Sequence, residues 1–248
     1  MTPDLSSLGW FLVGVISLAI LQRWLHIEIQ SVFFLITRRL ELALAIFSIL
    51  FLPGVLLHEL SHYLIARLLG VPVGNISIIP QALPDGRLRM GYVETASTDI
   101  FRDALIGTAP LIAGSIFIAY AGLVRLEFAP VWEQISNGDL PEYIQVMNQP
   151  DFWIWFYFIF VVSSTMFPSA SDRRAWMPIL ILVALIVALL LISGAGPWLW
   201  ENLGTSLLSF VHILSLIFVL SALVHLILLP PLWLLRQLLQ KMTGLKVV

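Results

Sequence analysis

The sequence predicts an all-α polytopic membrane protein, with about six transmembrane helices and a small β-hairpin at the membrane surface. Three observations carry that expectation. Of 248 residues, 59% are apolar and only 11% charged, where a soluble domain carries about 25% charged residues. The apolar residues gather into runs long enough to cross a bilayer, which takes roughly 20 residues of helix. The polar stretches between those runs are too short to hold a soluble domain of ordinary size. A net charge of −2 says little about partners, and no basic patch points to nucleic acid. Cysteine is absent, so disulfides and thiolate metal ligands are excluded.

Residues 8–21 form the first apolar run, short for a span unless it extends through Trp10 and Trp24. It has no basic stretch before it and no small-residue cleavage site after it, so a cleaved leader is not expected. Residues 22–41 are mixed, with Arg23, His26, Glu28, Gln30, Arg38 and Arg39, and read as an interfacial helix or the start of the next span. His26 reads as an interface side chain. Residues 42–69 are the second span. Residues 71–98 lose the helical period: Asn75 and Ser77 alternate with Ile76 and Ile78, and Arg87, Arg89 and Gly91 with Leu88, Met90 and Tyr92. Pro84-Asp85-Gly86 between them is a turn signal, so this stretch reads as a β-hairpin. Its free edge would receive an extended peptide by strand addition, with Leu88, Met90 and Tyr92 as candidate substrate contacts.

Residues 100–124 are the third span and contain Gly107-Thr108-Ala109-Pro110, where small residues allow close helix approach and the proline opens a backbone hydrogen bond. Residues 125–150 form an acidic loop with room for a short surface helix. Residues 152–166 are an aromatic-rich fourth span, 176–198 the fifth and 203–229 the sixth, which ends at Pro230-Pro231. A short amphipathic tail follows. The chain divides into an N-terminal span and interfacial segment (1–40), a membrane core (41–175) and C-terminal spans with a tail (176–248).

The second span carries His58, Glu59 and His62, the pattern H-E-x-x-H. Positions four apart share a helix face, so both imidazoles can reach one metal ion. Glu59 stands one residue round, free to take a proton from water. This is the arrangement of zinc hydrolases. The bland alternative is a buried polar cluster bonded to neighbouring helices, which a membrane span tolerates only with partners. His58 lies about 26 Å along the helix from Glu41 at 1.5 Å per residue.

A catalytic zinc takes three protein ligands and keeps one position open. The second and fourth spans run in the same direction by parity. Asp172, just past the fourth, therefore comes to a depth similar to that of His58 and His62. It is the expected third ligand, with His212 and Glu94 as alternatives and a carboxylate paired to Arg173 or Arg174 as the plain reading. His225 reads as a hydrogen-bonded core histidine. Lys and Arg bias loops towards the cytoplasm. Arg87, Arg89, Arg102, Arg173, Arg174 and the basic tail fall on one side, which puts the site near the cytoplasmic face. Segment 22–40, with its own arginines, is placed on the other side.

With HELSH in an apolar span, a β-rich insert after it and a proline-containing segment with Asp172 two spans on, the chain resembles the site-2 protease family of intramembrane zinc metalloproteases. The family's second motif runs Asn-x-x-Pro-x-x-x-x-Asp. Counting back from Asp172 puts Ser164 at the Asn position and Phe167 at the Pro position, with the proline at 168. The resemblance covers residues 41–175. It implies one Zn²⁺ per chain on His58, His62 and Asp172, with Glu59 as general base and Ser164 facing the substrate backbone. Substrates would be transmembrane segments of other proteins, and the chain itself a multi-pass protein of the lipid bilayer. Three other classes compete. Another zinc-dependent membrane hydrolase would share the site, and an inactive scaffold relative would keep the fold. A transporter would need polar residues along several spans, and outside the motif they are few. Five histidines are too few for a histidine-rich diiron oxygenase.

Overall fold

The computed structural model describes residues 6–78, 81–82, 88–89, 91–137, 147–149 and 151–246. It is dominated by helices. Helix α1 (Ser6–Thr37) runs without a break for 32 residues. The mixed segment is therefore continuous in one helix with the first apolar run as far as Thr37. Its carboxylate has a partner: Glu28 accepts from Arg236 Nε at 2.5 Å and Nη2 at 3.0 Å. His26 packs edge-on against Phe47 and Phe51. Arg38 then takes a left-handed φ of 52° and ends the helix.

Helix α2 (Leu40–Leu68) carries the motif and contains Pro53. It ends in a reversal through Gly70, at φ 70°. Val71 N–H donates to Ala66 C=O and Gly70 N–H to Arg67 C=O, the paired bonds of a Schellman cap that needs a residue able to adopt αL. The hairpin expected over 71–98 follows. Strands β1 (Val73–Ser77) and β4 (Tyr92–Thr95) pair antiparallel with an irregularity between Val73 and Ile76. β2 (Gln81–Ala82) pairs with β3 (Leu88–Arg89) nearer the tip. The Pro84-Asp85-Gly86 turn lies outside the described residues.

Helix α3 (Ile100–Ala119) starts at an Asp99 cap, whose Oδ1 accepts from Phe101 and Arg102 N–H at 3.1 and 3.0 Å. The Arg102 N–H is the main reason the Asp99 carboxyl sits below its ordinary range. The helix continues as a π-helical stretch, Tyr120–Arg125. The short helix expected in the acidic loop is α4 (Phe128–Asn137). Phe128, Val131 and Trp132 bury it in the core, and Trp132 meets Trp10 edge-on at 5.2 Å. Helices α5 (Phe152–Thr165) and α6 (Trp176–Ile192) are short, at 14 and 17 residues. Helix α7 (Gly196–Thr243) has 48 residues and passes through Pro230 and Pro231. The double proline expected to end the sixth span does not end the helix, and Arg236 beyond it returns to Glu28.

Among the described residues four helices are long and apolar enough to cross a bilayer: Ser6–Thr37, Leu40–Leu68, Ile100–Arg125 and Gly196–Thr243. Much of their surface is leucine and isoleucine turned outward, as a membrane protein requires. Inside, α1 lies along α7, and α2 lies along α5. Gly54 lets α2 reach the backbone of α5 at Val161, where any side chain would collide with its carbonyl. Leu18, Leu25, Phe51, Ile118, Ile159, Val161 and Met166 fill the middle.

Candidate metal centre

The motif histidines face α5 and α3. His58 Nδ1–H donates to the Thr165 carbonyl at the end of α5, at 2.7 Å. His62 Nδ1–H donates to the Ile106 carbonyl of α3, at 2.8 Å. A carbonyl only accepts, so these bonds fix both tautomers and leave each Nε2 as a lone pair. The two Nε2 atoms are 3.2 Å apart. Asp172 completes the group, with Oδ1 3.5 Å from His62 Nε2 and Oδ2 3.9 Å from His58 Nε2.

Asp172 is held in place by its own turn. Its Oδ2 accepts from Ser169 N–H at 2.7 Å, and its N–H meets Ser169 Oγ at 3.3 Å. Gly107 of α3 lies directly under the Asp172 backbone carbonyl. The turn is also tied to α3 by Arg174, which donates from Nε and Nη2 to Asp103 at 2.7 and 2.6 Å. That carboxylate raises the Arg174 guanidinium above its ordinary range.

One ligand atom from each of His58, His62 and Asp172 lies within 4.8 Å of the others. Two lone pairs and a carboxylate oxygen converge here, a group of donors that could hold a metal ion. The spacing fits a metal ion: ligands at about 2.0–2.1 Å in a tetrahedron stand about 3.3 Å apart. Imidazole nitrogen and carboxylate oxygen are both ligands of divalent transition metals. In metal sites a ligating imidazole characteristically donates from its other nitrogen to a fixed acceptor.

Glu59 is buried beside this group. The loop residue Gly91 rests on it: a Cβ there would fall 2.9 Å from Glu59 Cγ and Oε1. A cavity of about 800 Å³ opens over His58, Glu59, His62 and Asp172, walled on one side by Gly91 to Thr95. Of the candidate substrate contacts, Tyr92 and Ser164 line it. The Ser164 hydroxyl is 2.9 Å from His225 Nε2, and because His225 Nδ1–H donates to Ser221 C=O, Ser164 is the donor. Its O–H is therefore already engaged. Leu88 is in β3, opposite Ala82, and Met90 lies outside the described residues.

The alternative third ligands stand elsewhere or are bonded otherwise. His212 meets Ser7 Oγ at 3.3 Å between α1 and α7. Glu94 lines the cavity and accepts from Asn75 at 3.2 Å. His225 is fully buried, as a core histidine. Sequence reasoning passed over Ile106, Thr165, Ser169 and Gly91. All four act through main-chain atoms, and residue type carries no mark of that. No protein-family model, curated protein or solved structure matches this chain.

Proposed function

We propose that this protein is a zinc-dependent intramembrane endopeptidase that cleaves transmembrane segments of other membrane proteins, as the resemblance to site-2 proteases implies. The observation that carries the reading is the convergence of His58, His62 and Asp172, with Glu59 beside them, on a cavity opening from an apolar helix. His58, His62 and Asp172 would hold one zinc ion per chain. Zinc supplies a Lewis acid that makes water nucleophilic near neutral pH and polarises a carbonyl.

The rest falls to the chain. Glu59, buried and close to the ligands, takes the proton of the attacking water and returns it to the leaving amine nitrogen. The wall from Gly91 to Thr95 is the extended chain of β4 and the residue before it. It offers an extended peptide strand-type hydrogen bonds and holds its carbonyl near the ligands. Tyr92 would contact substrate side chains, and the sequence adds Leu88 and Met90 as candidates. Ser164 would serve the substrate backbone through its remaining lone pairs. The basic residues around the hairpin, the Asp172 turn and the tail favour a multi-pass topology with the site near the cytoplasmic face.

The test is zinc content and cleavage together. Full-length protein in mild detergent should hold about one zinc per chain, a ratio set by three ligands around one ion. His58→Ala and Asp172→Ala should lose it. Glu59→Gln should keep the zinc and lose cleavage of a transmembrane peptide. Wild type that stays zinc-free after reconstitution would refute the reading, and so would full cleavage by Glu59→Gln. Zinc binding without peptide cleavage would pass the site to another hydrolase class.

A further inference from the structure

The carbonyls that orient the two ligand histidines belong to helices, where a carbonyl is ordinarily spent on the N–H four residues on. Both are free here, and proline is the reason. Ile106 C=O sits in the interior of α3, and the residue four positions later is Pro110, which has no N–H. His62 Nδ1–H takes the vacancy at 2.8 Å. On α5 the residue four positions after Ser164 is Pro168, and the freed Ser164 carbonyl accepts from Gln22 Nε2 of α1 at 2.5 Å. The helix ends there. Ser169 N–H, which would have served Thr165 in a continued helix, goes to Asp172 Oδ2 instead. Thr165 C=O is left for His58 Nδ1–H.

We infer that Pro110 is a positioning residue of the metal centre, and that it acts by withholding a backbone N–H. An ordinary residue at 110 would offer its N–H to Ile106 C=O along the helix axis. His62 would then share its acceptor with a backbone donor, which weakens the bond that holds the tautomer pointing a lone pair at the ion. Pro110 touches neither metal nor substrate. It is fully buried, so its volume matters too, and the test must separate volume from the missing N–H. The inference rests on the metal reading above, but its first measurement needs no metal.

That measurement is the ¹⁵N spectrum of histidine-labelled, chelator-treated full-length protein, with His62 assigned through His62→Gln. Wild type should show His62 protonated at Nδ1. Pro110→Ala and Pro110→Val both restore an N–H, and both should deplete that form. Zinc competition should then show affinity reduced roughly 10- to 100-fold, the usual cost of losing an outer-shell partner. Pro230→Ala, which returns an N–H to the interior of α7 opposite Leu226, should stay within about twofold of wild type, as a change that leaves the ligands' partners intact should. Three results would overturn the inference: wild-type His62 protonated at Nε2, an unchanged tautomer in both variants, or wild-type affinity in Pro110→Val but not in Pro110→Ala, which would make volume the cause. A zinc-free wild type with the expected tautomers would sink the metal reading and leave the role of Pro110 standing.

Discussion

At the scale of residues, two glycines carry as much of the site as its charged groups. Gly91 has no unusual φ, so alanine there is strained only by contact, with a Cβ 2.9 Å from Glu59 Cγ and Oε1. Gly91→Ala should push the carboxylate aside, leave zinc content intact because Glu59 is no ligand, and cut peptide cleavage by on the order of 10²-fold, as misplacement by about 1 Å can. Cleavage within a few-fold of wild type would mean that Glu59 moves without loss. Gly107 makes the complementary case. Alanine there meets the Asp172 carbonyl, so Gly107→Ala should weaken zinc binding roughly 10-fold or more, read by chelator competition. The contrast explains what was legible. His58, Glu59 and His62 announce themselves by side-chain chemistry at helical spacing. Gly91, Gly107 and the carbonyls of Ile106 and Thr165 act through shape or main chain. Pro110 was visible as a broken helix bond, but only the fold shows that His62 fills it.

Among the elements, the reading departs from the structure where charge and proline were taken as boundaries. Arg23 to Glu41 looked like an interface, and Pro230-Pro231 looked like the end of a span. The two features answer each other: α7 continues past its prolines far enough for Arg236 to reach Glu28 inside α1. A single sequence does not show that a carboxylate in one run and a guanidinium some 200 residues later are partners. Their side chains are only 11% and 17% exposed, so removing one takes a buried ion-pair partner from the other. Glu28→Leu should lower the apparent melting temperature in detergent, with a cost near the low end of about 3–5 kcal/mol for a broken buried pair. Glu28→Leu with Arg236→Leu should recover most of it. A single variant as stable as wild type would mean that the pair is solvated in place. The hairpin was legible because alternation survives in so short a stretch, whereas α4 was legible only as a helix. Its burial depends on Trp132 finding Trp10.

For the whole molecule, the parity of the spans was the strongest inference available, and α2 and α5 do lie side by side in parallel. Tyr157 O–H donates to Leu50 C=O, and His58 to Thr165 C=O, with the same sequence separation of 107. That constant offset is what carries Asp172 to the motif. The number of crossings is a different matter, because α5 and α6 fall below the length that crosses a bilayer unaided. The contact between Trp10 and Trp132 bears on it directly. If six helices cross, the loop after α3 lies on the face opposite the start of α1, yet these rings are 5.2 Å apart. The pairing of α1 with α7 bears on it too: Ser7 meets His212 and Glu28 meets Arg236, so the two helices run parallel, where the first and last of six crossings would run antiparallel. Because the chain has no cysteine, single cysteines report position cleanly against a membrane-impermeant thiol reagent. With six crossings, Ser97→Cys and Lys246→Cys should label from the cytoplasmic face and Asn137→Cys from the other, while Val131→Cys resists both. Asn137 labelling from the same face as Ser97 would mean that α3 returns without crossing. The histidine site would then still stand at the end of α2, but the later crossings would have to be counted afresh.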